Sequence, residues 1–141
     1  MRFSQKAEYA VRAAIDLALR SQQGTPARVS DVARRAAIPE KFLEAILLDL
    51  RKAGLVNSRR GPEGGHTLAR PAAEITLGMI RSAIDGPLTL VEAGRRKGAV
   101  DEGLGTVWKE VALALNAVLD GVTVEEMCRR IQEHQPSDYS I

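Results

Sequence analysis

Residues 38–69 read IPEKFLEAILLDLRKAGLVNSRRGPEGGHTLA, and the fold turns on how this stretch is parsed. Phe42, Leu43, Ile46, Leu47 and Leu50 recur at three- and four-residue spacing, which predicts a helix over Glu40–Ala53 with one apolar side. Pro39 suits its opening, where a missing N–H costs little, and Gly54 suits the left-handed residue that ends it. The period then changes. Leu55-Val-Asn-Ser-Arg59 and His66-Thr-Leu-Ala69 are short strand-like runs, and Arg60-Gly-Pro-Glu-Gly-Gly65 between them is a turn. A helix followed at once by a β-hairpin is the arrangement of a recognition helix and its wing. Gly61, Gly64 and Gly65 permit positive φ and let backbone N–H groups come close to a phosphate.

Upstream, Ala7, Ala10, Val11, Ala14, Ile15, Leu17 and Ala18 repeat at helical spacing, with Ser4 as N-cap and Gly24 beyond the end. Thr25-Pro26 breaks the chain. Ser30 is expected to cap a short helix from Asp31 to Ala36 with Val32 and Ala33 inward. Ala37-Ile38-Pro39 separates it from the longer helix, so two helices stand a few residues apart, as in a helix-turn-helix.

Downstream of Pro71, Thr76 is expected to cap a helix through Asp85 that Gly86-Pro87 closes. Ala93–Gly105, with four glycines and Arg95-Arg96-Lys97, reads as a loop. A helix is predicted from Thr106 to Asp120, with Val107, Trp108, Val111, Leu115, Val118 and Leu119 on one stripe and Leu104 extending it. Gly121 breaks it. Thr123-Val-Glu-Glu126 is a capping box for a last helix ending near Pro136, and Ser137–Ile141 reads as a loose tail. The fold class is therefore mainly α with a small β-hairpin wing: a winged helix-turn-helix over 1–71, then a helical linker, loop and dimerisation region over 72–141. The apolar stripe permits either an ordinary core helix or a helix shared with a second copy, and the dimer is favoured.

Charge supports a division of labour. Residues 1–70 hold 13 Lys/Arg against 7 Asp/Glu, a net of +6, whereas residues 71–141 hold 7 against 11, a net of −4. A basic half suits a polyanion. Lys6, Arg28, Arg51, Lys52 and the caps Ser4 and Ser30 are candidate phosphate contacts. Lys41 could donate to guanine and Glu44 accept from the cytosine amino group, while Arg60, with Arg59 beside it, could enter the minor groove. Glu44 could equally pair with Lys41 or Arg51 along the helix surface.

In order along the chain, Ser4-Gln-Lys-Ala-Glu-Tyr-Ala-Val-Arg-Ala13, Ile38-Pro-Glu-Lys-Phe-Leu-Glu44, Leu50-Arg-Lys-Ala-Gly-Leu-Val56 and Arg60-Gly-Pro-Glu-Gly-Gly65 form a recognisable set. Ile75-Thr-Leu-Gly-Met-Ile80, Asp85-Gly-Pro-Leu88 and Val107-Trp-Lys-Glu110 continue it. With these motifs the chain, from residue 1 to about 125, resembles the Rrf-two (Rrf2) family of bacterial winged-helix transcriptional regulators. The resemblance implies a homodimer on a palindromic operator, base reading at Lys41, Phe42 and Glu44, and a minor-groove arginine at Arg60. Cluster-binding members of that family carry three cysteines between the positions of Val91 and Trp108; Ala93 stands where the first is expected, and the loop holds neither cysteine nor histidine. No [2Fe–2S] cluster is expected, since such clusters need thiolate ligands, and no cofactor or metal is expected in its place.

Cys128 is the only cysteine, so no intrachain disulfide can form and a cytoplasmic setting is expected. It reads as a core thiol, with a redox sensor as the sharper alternative. His66 and His134 are the only histidines and stand far apart; no nucleophile–base pair, metal-ligand spacing or phosphate-loop motif is present, so no enzyme is expected. No apolar run approaches the roughly 20 residues of a membrane helix. The rival readings are a winged helix acting mainly through a protein partner, and a thiol or small-molecule sensor with weak DNA binding. The signal is left open among a small metabolite near the Ala93–Gly105 loop, a partner protein and oxidation of Cys128.

Overall fold

The computed structural model describes residues 2–21, 25–91 and 97–135. Helix α1 spans Gln5–Ser21, α2 Val29–Ala36 and α3 Glu40–Lys52; the hairpin is β1, Val56–Arg59, and β2, Gly65–Leu68. After a 3-10 turn at Ala72–Glu74 come α4, Leu77–Asp85, α5, Ala99–Gly121, and α6, Val124–Glu133. The class is the expected one, mainly α with a two-stranded antiparallel wing.

Helix α1 is the centre around which the rest assembles. Its buried face is almost all alanine (Ala7, Ala10, Ala13, Ala14 and Ala18, with Leu17), and such small side chains let neighbouring helices approach closely. Leu43, Ile46, Leu47 and Leu50 of α3 fill the space beside it, each 2% exposed or less. Full burial of each such side chain contributes roughly 1.5–3 kcal/mol. Ile75 and Ile80 around α4, and Val124 and Cys128 of α6, join the same cluster, so the core runs across Pro71.

Local stops match the chemistry of the residues that make them. At the end of α3, Gly54 takes φ +77°, its N–H bonds the Arg51 carbonyl at 3.0 Å, and Leu55 N–H bonds the Leu50 carbonyl at 2.9 Å. That pair of bonds is the Schellman closure expected of a C-terminal glycine. Ser4 caps α1, accepting from Ala7 N–H at 3.0 Å, and Thr76 and Thr123 cap α4 and α6 through Met79 N–H and Glu126 N–H. The Glu126 carboxylate accepts from Arg129 and Arg130, which hold its pKa down to about 2. Between α2 and α3 the turn is made by Ala37, a non-glycine residue at φ +57°, with Ile38 N–H bonded to the Ala33 carbonyl at 2.9 Å. A bidentate pair, Arg35 to Asp16 at 2.9 Å in both arms, ties α2 to α1.

Two expectations are corrected. Helix α2 begins at Val29, with Arg28 in the extended N-cap position and no side-chain cap bond, so Ser30 lies inside the helix and does not cap it. The region expected to be a loop through Gly105 is helical from Ala99, which lengthens α5 by seven residues over the predicted start at Thr106. Asp101 and Glu102 occupy its first turn, where the helix dipole favours acids, and Asp101 also accepts from Lys97 N–H at 2.8 Å. The expectations for Gly24, for Ala93 to Arg96 and for the tail from Ser137 lie outside the described residues.

Candidate nucleic-acid interface

Helix α3 buries one side against α1 and turns the other outward. Lys41, Phe42, Glu44, Leu48, Arg51 and Lys52 are all exposed. Phe42 is 49% exposed, an unusual state for a large apolar ring, and the Lys41 ammonium stands 5.1 Å from its centroid. A cation over a ring face is attracted by the ring quadrupole, so the two side chains brace each other at the start of α3. Among the described residues Glu44, Arg59 and Arg60 enter no ion pair, which removes the surface pairing of Glu44 with Lys41 or Arg51.

The wing is docked as well as folded. Register pairs Val56 with Leu68 and Arg59 with Gly65, and the turn closes through Gly64 N–H to the Gly61 carbonyl at 2.9 Å. Ala27 adds a one-residue third strand: its N–H bonds the His66 carbonyl at 3.0 Å and its carbonyl accepts His66 N–H at 2.7 Å. The Arg28 guanidinium donates to the Pro62 carbonyl at the wing's tip. Glycine is forced at two points. A Cβ on Gly64 would sit 2.2 Å from the Arg59 carbonyl oxygen, and one on Gly65 2.7 Å from that of Ala27.

The structure brings most of the candidate residues together. Arg28, Ser30, Arg59, Gly61, Gly64 and Gly65 line a cleft of about 300 Å³ between the start of α2 and the wing. Glu44 and Arg51 line a second, of about 230 Å³, between α3 and the hairpin. Lys41 and Arg60 are exposed outside both clefts. Two candidates are engaged elsewhere. Lys6 pairs with Asp49 at 2.7 Å, on the far flank of α3 where it lines a cleft with Phe42 and Tyr9. Ser4 donates its hydroxyl to the Asp85 carboxylate at 2.8 Å.

His66 and Ser58 belong to the concave surface and were not singled out from sequence. His66 borders both clefts, and its Nδ1 stands 2.8 Å from Ser58 Oγ. Burial, and then the charge of Arg51, push its pKa below the ordinary histidine value. Strand alternation carried the signal: His66 shares a side of β2 with Leu68, which packs on the core.

Elsewhere, Cys128 is buried on α6, 3.9 Å from the Ile15 carbonyl, and desolvation ahead of the nearby Glu125 charge pushes its thiol up. That is the setting of a core thiol rather than of a reactive thiolate. Of the stripe on α5, Val107, Trp108, Val111 and Val118 are exposed, Leu115 is half-buried, and Leu119 is buried within the protomer beside Gly78 of α4. Val100 and Leu104 prolong the exposed apolar surface towards the N-terminus of the helix.

Helix-turn-helix, docked wing and exposed α3 together define a winged-helix DNA-binding protein. Comparison with known proteins places it more narrowly. The family model for Rrf2, described as an iron-dependent transcriptional regulator, matches residues 3–130. The chain is 34% identical over 141 residues to the transcriptional regulator IscR of Aliivibrio salmonicida, covering 98% of this chain and 83% of that one. It is 38% identical over 130 residues to IscR of Pectobacterium carotovorum, covering 90% and 79%. Among solved structures, IscR of T. potens superposes with a TM-score of 0.78 at 31% identity, covering 99% of this chain and 96% of that one. CymR, the global cysteine regulator of B. subtilis, gives 0.78 at 29% identity, covering 92% and 98%. The chain belongs to the Rrf2 family: it is a DNA-binding transcriptional regulator and not an enzyme. Among the described residues no helix is long and apolar enough to cross a membrane.

Proposed function

We propose that this chain is a repressor that binds a palindromic operator as a homodimer, in the cytoplasm, without an iron–sulfur cluster. The observation that carries the DNA end is the outward set on α3 beside a docked wing. Lys41 and Glu44 read base edges in the major groove, Phe42 supports them, and Arg60 with Arg59 enters the minor groove. Arg28, Ser30, Arg51 and the wing glycines Gly61, Gly64 and Gly65 meet the phosphate backbone, while Ser4 and Lys6 stay with their carboxylate partners Asp85 and Asp49. Residues 1–71 carry the DNA task and residues 72–141 carry assembly and sensing, although one hydrophobic core serves both.

The dimer reading rests on α5. Val107, Trp108, Val111 and Val118 stand 37–66% exposed on a helix of 23 residues, and half-buried Leu115 completes their three- and four-residue repeat. A second copy laid on this stripe, with Leu115 and Leu119 at its edge, removes it from water and sets two recognition helices about 34 Å apart on one face of the duplex.

The cluster-free reading rests on the donor set. The chain's single thiol, Cys128, is buried on α6, its two histidines are in the wing and just past α6, and no group of three His, Cys, Asp or Glu among the described residues could hold a metal ion. A cluster needs thiolates that this chain does not offer, so no step of the mechanism passes through one. The signal then acts on some other feature of residues 72–141, as a small-molecule or protein effector.

The deciding experiment is fluorescence anisotropy on the intergenic DNA upstream of the protein's own gene, at several salt concentrations. Each neutralised phosphate contributes about 0.9 to the slope of log affinity against log salt, so several contacts give a steep fall. A flat response, or equal binding to random duplex, refutes the proposal. Glu44→Ala relaxes base preference more than it lowers affinity, and Arg60→Ala weakens binding at A·T-flanked sites. Anaerobically purified protein with visible absorption and stoichiometric iron and sulfide would overturn the cluster-free reading.

A further inference from the structure

His66 has no role among the proposed DNA contacts, yet it borders both clefts of the interface. Its backbone is fixed on both sides by Ala27, and Ser58 Oγ holds Nδ1 at 2.8 Å, which orients the ring. The ring is only partly covered and borders both clefts, one towards α2 and one towards α3. We propose that His66 is a phosphate ligand in the DNA-bound state, its imidazole taking up a proton as a backbone phosphate enters the cleft between α3 and the wing. This rests on the DNA-binding reading and adds a residue and a proton to it.

The charges around the ring set the sign. Arg28 faces it from the start of α2, Glu40 and Glu44 and Arg51 from α3, and Arg59 from β1. In the free protein burial and Arg51 disfavour the imidazolium, so the ring is neutral near pH 7. A phosphate brings a negative charge to the same concavity, and an opposite charge within a few ångströms favours the charged form. Ser58 accommodates either state, because a hydroxyl donates to a bare Nδ1 and accepts from a protonated one. The other ring nitrogen, Nε2, is then an N–H donor for the phosphate oxygen. The proton comes from solvent, so binding consumes one proton per protomer at most. Affinity therefore rises as pH falls through the bound-state pKa, and stops rising below the free-state pKa, where both forms are already protonated.

The test is affinity for the same upstream duplex at about pH 8, 7 and 6, at constant ionic strength, for the wild-type chain and His66→Gln. Each unit by which DNA raises the imidazole pKa gives roughly a tenfold gain per protomer on acidification. Wild type is expected to tighten several-fold or more on acidification, whereas His66→Gln, uncharged at every pH, lacks that gain. An equal pH dependence in both proteins, or none in either, overturns the proposal while leaving specific DNA binding intact. Absence of specific binding at every pH sinks the DNA reading and this inference with it. Should the variant misfold, the wild-type ring is read directly by NMR. The chain has two histidines, so the His66 signal is separable from that of His134, and its titration midpoint must move upward when duplex is added. A midpoint that stays or falls overturns the proposal.

Discussion

Gly65→Ala is expected to undock the wing, and the structure permits a magnitude. Gly65 has φ +148°, a conformation that costs a residue with a side chain about 1–3 kcal/mol. The added Cβ would lie 2.7 Å from the Ala27 carbonyl oxygen and 2.8 Å from its carbon, contacts with backbone that cannot rotate away. Relief requires the Ala27–His66 bridge to part, which forfeits two backbone hydrogen bonds at about 1 kcal/mol each. The total is about 3 kcal/mol or more. Gly61→Ala is the internal control. That residue also has positive φ, +106°, but nothing stands within 4 Å of the place its added methyl group would take, so only the conformational cost applies. The assay is amide hydrogen exchange at Ala27 and His66, which reports opening of this bridge even if the helical core stays folded. With about 2 kcal/mol separating the variants, those amides exchange roughly 30-fold faster in Gly65→Ala than in Gly61→Ala. DNA affinity falls with it, because Arg59 and Arg60 lose their fixed station. Equal protection in the two variants would refute the reasoning.

Three further outcomes follow from the packing. Asp16→Asn breaks the mostly buried pair with Arg35, whose guanidinium the Asp16 hydrogen bond holds above its ordinary pKa; leaving that charge uncompensated costs about 3 kcal/mol in urea unfolding, and a loss below about 1 kcal/mol would show the pair to be dispensable. Ala37→Gly relieves a left-handed alanine whose strain is about 1–2 kcal/mol, partly offset by glycine's greater unfolded-state freedom, so the melting temperature rises by a few degrees; a fall would mean the turn depends on the methyl group. Trp108→Glu places a charge in the exposed stripe of α5 and converts a dimer into a monomer by sedimentation, with operator affinity lost and the helical circular dichroism kept; an unchanged sedimentation coefficient would remove α5 from the interface.

How much of this was legible from sequence depended on whether a residue acts locally. Gly54, Thr76 and Thr123 were readable because each ends or begins a helix through bonds to residues a few positions away. The α3 face was readable because Leu43, Ile46, Leu47 and Leu50 repeat with the helical period. Ser30 misled because Ser followed by Asp is a strong cap pattern, whereas the start of α2 is set instead by Ala27 pairing with the wing nearly 40 residues away. A strand of one residue has no period to detect. Gly103 and Gly105 concealed the first turns of α5, since each glycine costs about 1 kcal/mol in a helix, yet acids in the first turn and Lys97 N–H bonding Asp101 stabilise the start. Leu119 lies on the same stripe as Val118 but is covered by α4, a distinction that depends on tertiary placement.

The mounting of α5 has a mechanical consequence. Among the described residues, the bonds joining it to the rest of the protomer cluster at its C-terminal end: Leu77 N–H to the Val122 carbonyl at 2.8 Å, and Asp120 beside Thr76 and Gly78. A helix of 23 residues is roughly 34 Å long, so it is a cantilever clamped at one end. A pivot of about 5° at the clamp swings the free end by roughly 3 Å, given that length. In the homodimer proposed above, the tilt of two such beams would set the reach between the two reading heads, with α4 as the bracket through which that reach is tuned.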